Sequence, residues 1–329
     1  MPHTGRTDAQ AANRTGRSVN SRARTAPAAR SSRQRPPGRT AYRRALRREA
    51  PTVVGLLLDD HDFTTMTGYR TFPFRDYGLY LHHLGGLLRS LDAQGTSVAV
   101  TLFDPDRFAD YCTGTRREPD TPGARTRYTA EVTTGGPTVR YTGQPLARLR
   151  AQLAHEAARR ATRDRASDIL AAAGKCPDCD ELFAHCAFDR AGHTLLRILA
   201  AAGPGTHHVV CSLPADDGPP LLAAAHITAE AGGELLLDDT EATVLCTVMA
   251  AAQRTTRPGG LVLRTTDSRG TDTVHGWALH RDGPRPLTEA EVFDAYCTDP
   301  ETGEAVPPEP GVRYRAGLPL PPPLPGDEL

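Results

Sequence analysis

Five side chains able to bind a metal fall within eighteen residues: Cys176 and Cys179 of a Cys-Pro-Asp-Cys run, then His185, Cys186 and His193. A Cys-x-x-Cys turn can grip one zinc because it brings both sulfurs within ~4 Å, at Zn–S distances near ~2.3 Å. Two further ligands are needed, and their identity depends on the helix that follows. If 181–202 were one unbroken helix, Cys186 and His193 would stand ~10.5 Å apart along its axis and could not share a tetrahedral ion. If the chain turns through Cys186 and the helix starts at Asp189, a good N-cap residue, both can reach. On that second geometry the expected structural zinc ligands are Cys176, Cys179, Cys186 and His193, with His185, His207, His208 and Cys211 as other donors nearby. Two alternatives stay open. One is a redox dithiol with a thiol pKa lowered at a helix N-terminus, although the strand that usually enters such a motif is replaced by a long helix. The other is a set of buried, unliganded cysteines. A catalytic zinc lacks its usual His-Glu-x-x-His helix motif.

Aspartates form a second group. Asp59, Asp60 and Asp62 follow one predicted strand; Asp104 and Asp106 follow the next. Ligands in open α/β sheets gather at the carboxyl ends of strands, and carboxylates there can hold Mg²⁺ for phosphoryl chemistry. This gives an alternative function, a metal-dependent phosphoester hydrolase using Asp59, Asp60 and Asp104. Against it, Asp104-Pro105 is also a standard helix start, and Asp-rich turns are common at strand ends. No P-loop, dinucleotide fingerprint or Gly-x-Ser-x-Gly elbow is present.

The elements that position these groups read as α/β passing to α+β. Thr52–Leu58 and Ser97–Phe103 are apolar runs of buried-strand type. Between them Tyr77, Tyr80, Leu81, Leu84, Leu87, Leu88 and Leu91 make one helical stripe, capped by Asp76. Strand, helix and strand of this length predict a βαβ unit with a parallel pair. Residues 114–127 read as a loop and Thr138–Thr142 as a short strand. A long amphipathic helix, Pro145–Ala173, stops at Gly174, directly before the cysteines; another covers Asp189–Ala202. His207–Leu213 and Leu221–Thr228 read as a hairpin. Thr240–Arg254 is a helix opened by Asp238 and Glu241, and Gly260–Thr266 and Val274–His280 are strands. Thr288 and Glu291 form a capping box before a short helix ending at Cys297. Trp277, the sole tryptophan, is the expected anchor of this half. The expected parts are therefore a disordered arm (1–50), an α/β part (51–143), a helical connector carrying the Cys/His cluster (144–205), an α+β part (206–306) and a Pro-rich tail (307–329).

Charge is unevenly spread along this neutral 329-residue chain. Residues 1–50 hold thirteen arginines against Asp8 and Glu49, a net of +11, so 51–329 carries −11. The arm has almost no large apolar residue before Tyr42 and cannot offset its chain entropy by burial. A basic arm on an acidic body suits non-specific nucleic-acid binding, an alternative function. No apolar run approaches the ~20 residues of a membrane span. Seven cysteines without an export signal point to reduced thiols in a cytoplasm.

Two halves of the chain echo one another. Phe108-Ala-Asp-Tyr-Cys-Thr113 resembles Phe293-Asp-Ala-Tyr-Cys-Thr298, and Leu56–Asp60 repeats as Leu235–Asp239. Ordered echoes at near-equal offsets suggest an old duplication; two unrelated amphipathic helices with Phe and Tyr anchors explain them as well. Arg70-Thr-Phe-Pro-Phe-Arg-Asp-Tyr77, Thr101-Leu-Phe-Asp-Pro-Asp106 and Thr288–Thr298 resemble a group of actinobacterial, streptomycete-type proteins of unknown function. The resemblance spans most of 52–316; it implies a bacterial origin and carries no catalytic residues. The expected function is a cytoplasmic regulatory or interaction protein with a structural zinc and a protein partner of unknown kind.

Overall fold

The computed structural model describes residues 52–320, apart from Asp178, Asp216, Asp217, Pro300 and Glu301. The arm of residues 1–50, with the nucleic-acid reading attached to it, lies outside the described residues. Strand β1 (Thr52–Leu56) runs parallel to β2 (Val98–Leu102), with Thr52 opposite Val98 and Leu56 opposite Leu102. Helices α1 (Asp60–Thr67) and α2 (Tyr77–Ala93) form the crossover, as the βαβ pattern predicts. α1 itself was not legible as a helix: it has only eight residues, but Asp59 caps it, accepting from the Asp62 amide.

After β2 come α3 (Pro105–Thr115) and α4 (Pro122–Gly135), then β3 (Thr138–Tyr141), which pairs antiparallel with β2. α4 occupies part of the stretch expected to be a loop. Its polar composition hides a helix whose start is nonetheless encoded, Thr121 as N-cap and Pro122 in the first turn. The core of this half is Leu56, Leu88, Val100, Phe108, Leu149 and Leu153 with their neighbours.

Leu149 and Leu153 belong to α5 (Leu146–Ala172), a 27-residue strut. Its far end contributes Ala166 and Leu170 to a second, larger core. One helix thus serves both halves, and the described residues 52–320 belong to one compact unit.

The second half follows α6 (Phe183–Ala202). It contains β4 (Gly205–Leu213), β5 (Leu221–Ala229), β6 (Leu235–Leu237), α7 (Asp239–Ala252), β7 (Gly259–Thr266), β8 (Asp272–His280), β9 (Gly283–Pro286), α8 (Glu289–Tyr296) and β10 (Val312–Tyr314). The sheet order is β10-β8-β7-β4-β5-β6, with β9 also on β8. Every pairing is antiparallel except β10 on β8. α7 is buried continuously from Val244 to Ala252. A helix apolar all round must be covered all round; the sheet lies on one side of it and α5 and α6 on the other. Part of the Pro-rich segment after 307 is stitched to the sheet through β10.

The internal echo survives only locally. Phe108 and Tyr111 pack on Tyr128, at ring distances of 5.4 and 5.5 Å. Phe293 and Tyr296 pack on Tyr314 at 5.4 and 5.5 Å. Tyr128 lies on a helix and Tyr314 on a strand, so the surrounding topology is not shared.

Candidate metal centre

α5 ends at Ala172, and Gly174, with a φ of +69°, reverses the chain just beyond it. A tight knuckle follows. Lys175 and Leu182 form an isolated antiparallel bridge. The Cys176 amide donates to the Glu181 carbonyl at 2.7 Å, and the Asp180 amide donates to the Cys176 carbonyl at 3.0 Å. Asp180 takes a left-handed φ of +59°, a conformation that short polar side chains tolerate. A Lys175–Asp180 ion pair at 3.0 Å spans the knuckle; both side chains are well exposed, so it adds little stability.

The Phe183 amide donates to Gly174 at 2.9 Å, which ties the start of α6 back to the end of α5. Cys186 therefore sits on the first turn of α6, over the knuckle. The sulfurs of Cys176, Cys179 and Cys186 all lie within 4.8 Å of one another. Cys176 and Cys186 are buried and Cys179 is exposed. The Cys179 and Cys186 sulfurs approach to 2.8 Å. The Cys186 thiol is pushed up to about 12, first by the Cys179 sulfur beside it, then by burial and by Cys176. Three thiolates cannot share this space without a cation between them, and three close soft donors can hold a metal ion.

His193 is not brought to the three sulfurs. α6 is unbroken from Phe183 to Ala202, so the expected helix start at Asp189 is corrected. The apolar stripe of Phe183, Cys186, Ala187, Ala191, Leu195, Ile198 and Leu199 is buried along the whole helix. Burial of that stripe outweighs the capping preference of Asp189. Cys186 and His193 are then two turns apart, ~10.5 Å along the axis. Among the described residues, no His, Asp or Glu joins the three cysteines. Of the remaining cysteines, Cys211 and Cys246 are pushed up to about 12 and about 11 by burial, as apolar core groups.

The aspartates sit at the carboxyl ends of β1 and β2, as predicted, but work as helix caps. Asp59 Oδ1 accepts from the Asp62 amide at 2.9 Å. Asp104 Oδ1 accepts from the Asp106 and Arg107 amides, both at 3.0 Å. Asp60 is the exposed first residue of α1. Asp62, half-buried, is raised above the usual carboxylate range by burial and then by Asp59. Among the described residues these acids do not converge into a metal-binding group. No helix of the described residues is long and apolar enough to cross a membrane.

A domain of unknown function (DUF8829) matches residues 41–144. It takes in the first half and two of the three segments behind the resemblance noted above, 70–77 and 101–106, and stops before Cys176, Cys179 and Cys186. No curated protein and no solved structure matches the chain.

Proposed function

We propose that this chain is a cytoplasmic regulatory or interaction protein whose two halves are held in register by a structural zinc on Cys176, Cys179 and Cys186. The carrying observation is the convergence of three sulfurs from the knuckle and the first turn of α6 within 4.8 Å. A soft thiolate donor set suits Zn²⁺, which needs no fixed d-electron geometry. The ion would close the turn between α5, the strut shared by both cores, and α6, which packs on α7. The fourth position falls to solvent or to a donor brought by a partner, because His193 lies two turns further along α6. Binding energy of a structural zinc is folding energy, so its role here is to fix a binding surface rather than to drive a reaction.

The test is metal content by mass spectrometry of the full chain and of Cys176→Ser. About one zinc per chain, lost in the variant together with thermal stability, is the expected result. A metal-free wild-type chain whose three thiols all react with a thiol reagent overturns the proposal.

A further inference from the structure

A cavity of about 570 Å³ opens between α6, the C-terminal end of α7 and the β8–β9 turn, with Pro177 of the knuckle on its rim. That volume lies within the range of small-molecule sites. Its chemistry is unlike the rest of the body. Residues 51–329 carry −11 overall, yet the described lining holds Arg190, Arg197, Arg254 and Arg281 against one carboxylate, Asp282. A concave wall of one sign on an oppositely charged body focuses the local field and attracts a counter-ion.

The arginines come from three separate elements, so no single run of sequence explains their meeting. Arg190 and Arg197 lie seven residues apart on one face of α6, Arg254 follows the end of α7, and Arg281 is in the turn after β8. Two of them are held in place. Arg190 Nε donates to Gln253 Oε1 at 3.0 Å, and Gln253 in turn donates to the Ala187 carbonyl at 3.0 Å. The guanidinium groups of Arg190 and Arg254 stand 5.7 and 5.4 Å from the centre of the Phe183 ring. Stacking on an aromatic ring pre-organises the planar fork and leaves its N–H edge for an acceptor. The remainder of the lining includes Met249 and Leu279, both buried apolar residues.

We propose that this cavity binds a small molecule carrying a di- or polyphosphate group. Its phosphates are held by Arg190, Arg254 and Arg281, and its less polar body lies against Met249 and Leu279. Several forked cations around one cavity suit a multiply charged phosphate, whose oxygens accept bidentate pairs; a lone carboxylate needs only one. The site is distinct from the three cysteines and does not depend on a metal being bound there.

The test uses pyrophosphate and ADP as probes, titrated calorimetrically into the full chain at physiological ionic strength, then into Arg254→Gln, Arg281→Gln and the double variant. Both arginines are exposed, so the variants keep the fold, which an unchanged melting temperature verifies. The expected result is one saturable site that takes ADP more tightly than pyrophosphate, with each substitution weakening ADP binding ~10-fold, the scale of one lost charge-assisted contact. Two results overturn the proposal. One is that the wild-type chain binds neither probe. The other is binding equally strong in the double variant, which would place the phosphate on the Arg-rich arm.

Discussion

Cys179 and Cys186 are seven residues apart in sequence, and their sulfurs stand 2.8 Å apart, one exposed on the knuckle and the other buried on the first turn of α6. A hydrogen bond between the two thiols accounts for this contact, and a tetrahedral zinc on both sulfurs would hold them somewhat further apart. The position of Cys186 also fixes which side chains can belong to the centre, because α6 runs unbroken to Ala202 beyond it.

The first prediction separates the cysteines from the histidine. Cys186→Ser should lower zinc content to near zero, and His193→Ala should leave it unchanged. Metal analysis of the two purified variants decides this. Zinc lost from His193→Ala as well would require α6 to break near Asp189.

Asp104 should behave as a cap. Asp104→Ala is expected to cost ~0.5–2 kcal/mol and Asp104→Asn much less, since Asn caps nearly as well as Asp. Urea unfolding of both variants is the check. Equal destabilisation would show that charge matters at this position and would revive the metal-acid reading of Asp59, Asp60 and Asp104.

Stability should fall on the acid side of neutrality because of His207. The ring is fully buried, with Nε2 3.0 Å from the Gly203 carbonyl and Nδ1 2.9 Å from Thr265 Oγ1. A carbonyl only accepts, so Nε2 carries the proton and Nδ1 accepts from the threonine hydroxyl. Burial holds the His207 pKa below its ordinary value, partly offset by Gly203. His208 is lowered as well, by burial and then by His226. Below the ordinary histidine pKa of ~6.5 the unfolded chain binds protons that the folded chain refuses. This contribution is complete above that pH and is lost as pH falls below it. The urea midpoint should therefore drop between about pH 7.5 and 5.5, and His207→Gln should flatten that slope.

Trp277 joins the second sheet to the C-terminal segment. It is fully buried, and its Nε1 donates to the Leu318 carbonyl at 3.2 Å. Trp277→Ala should cost ~3–5 kcal/mol and expose residues near 318 to proteolysis. Circular dichroism during denaturation and limited digestion would read the two effects. A variant as stable and as resistant as wild type would place the core elsewhere.

The capping box at α8 should show an acid-side dependence of its own. Thr288 Oγ1 accepts from the Glu291 amide, while Glu291 accepts from the Thr288 amide at 2.7 Å. The Thr288 amide, and then Arg285, hold the Glu291 pKa down to about 2. Its contribution is present above the ordinary glutamate pKa and disappears as pH falls through about 2. Thr288→Ala should cost ~0.5–2 kcal/mol at neutral pH and lose part of this acid sensitivity, measurable by thermal denaturation at stepwise lower pH.

Elements whose signals are local could be read from the residues alone. The apolar runs at 52–58 and 97–103, the stripe from Tyr77 to Leu91, the hairpin after Gly205 and the Thr288–Glu291 box all depend on neighbours a few residues away. The structure keeps each of them. The Cys-x-x-Cys pair was legible for the same reason, since a four-residue turn is enough to bring its sulfurs together. Competition between signals and the convergence of distant segments were settled by packing. Asp189 is a good cap in isolation, but the stripe from Phe183 to Leu199 gains more by burial as one helix, and this removes His193 from the centre. The arginines at 190, 197, 254 and 281 carry no common motif. They meet because α7, apolar on every side, must lie between the sheet and α6, and that packing brings three distant segments to one cavity wall.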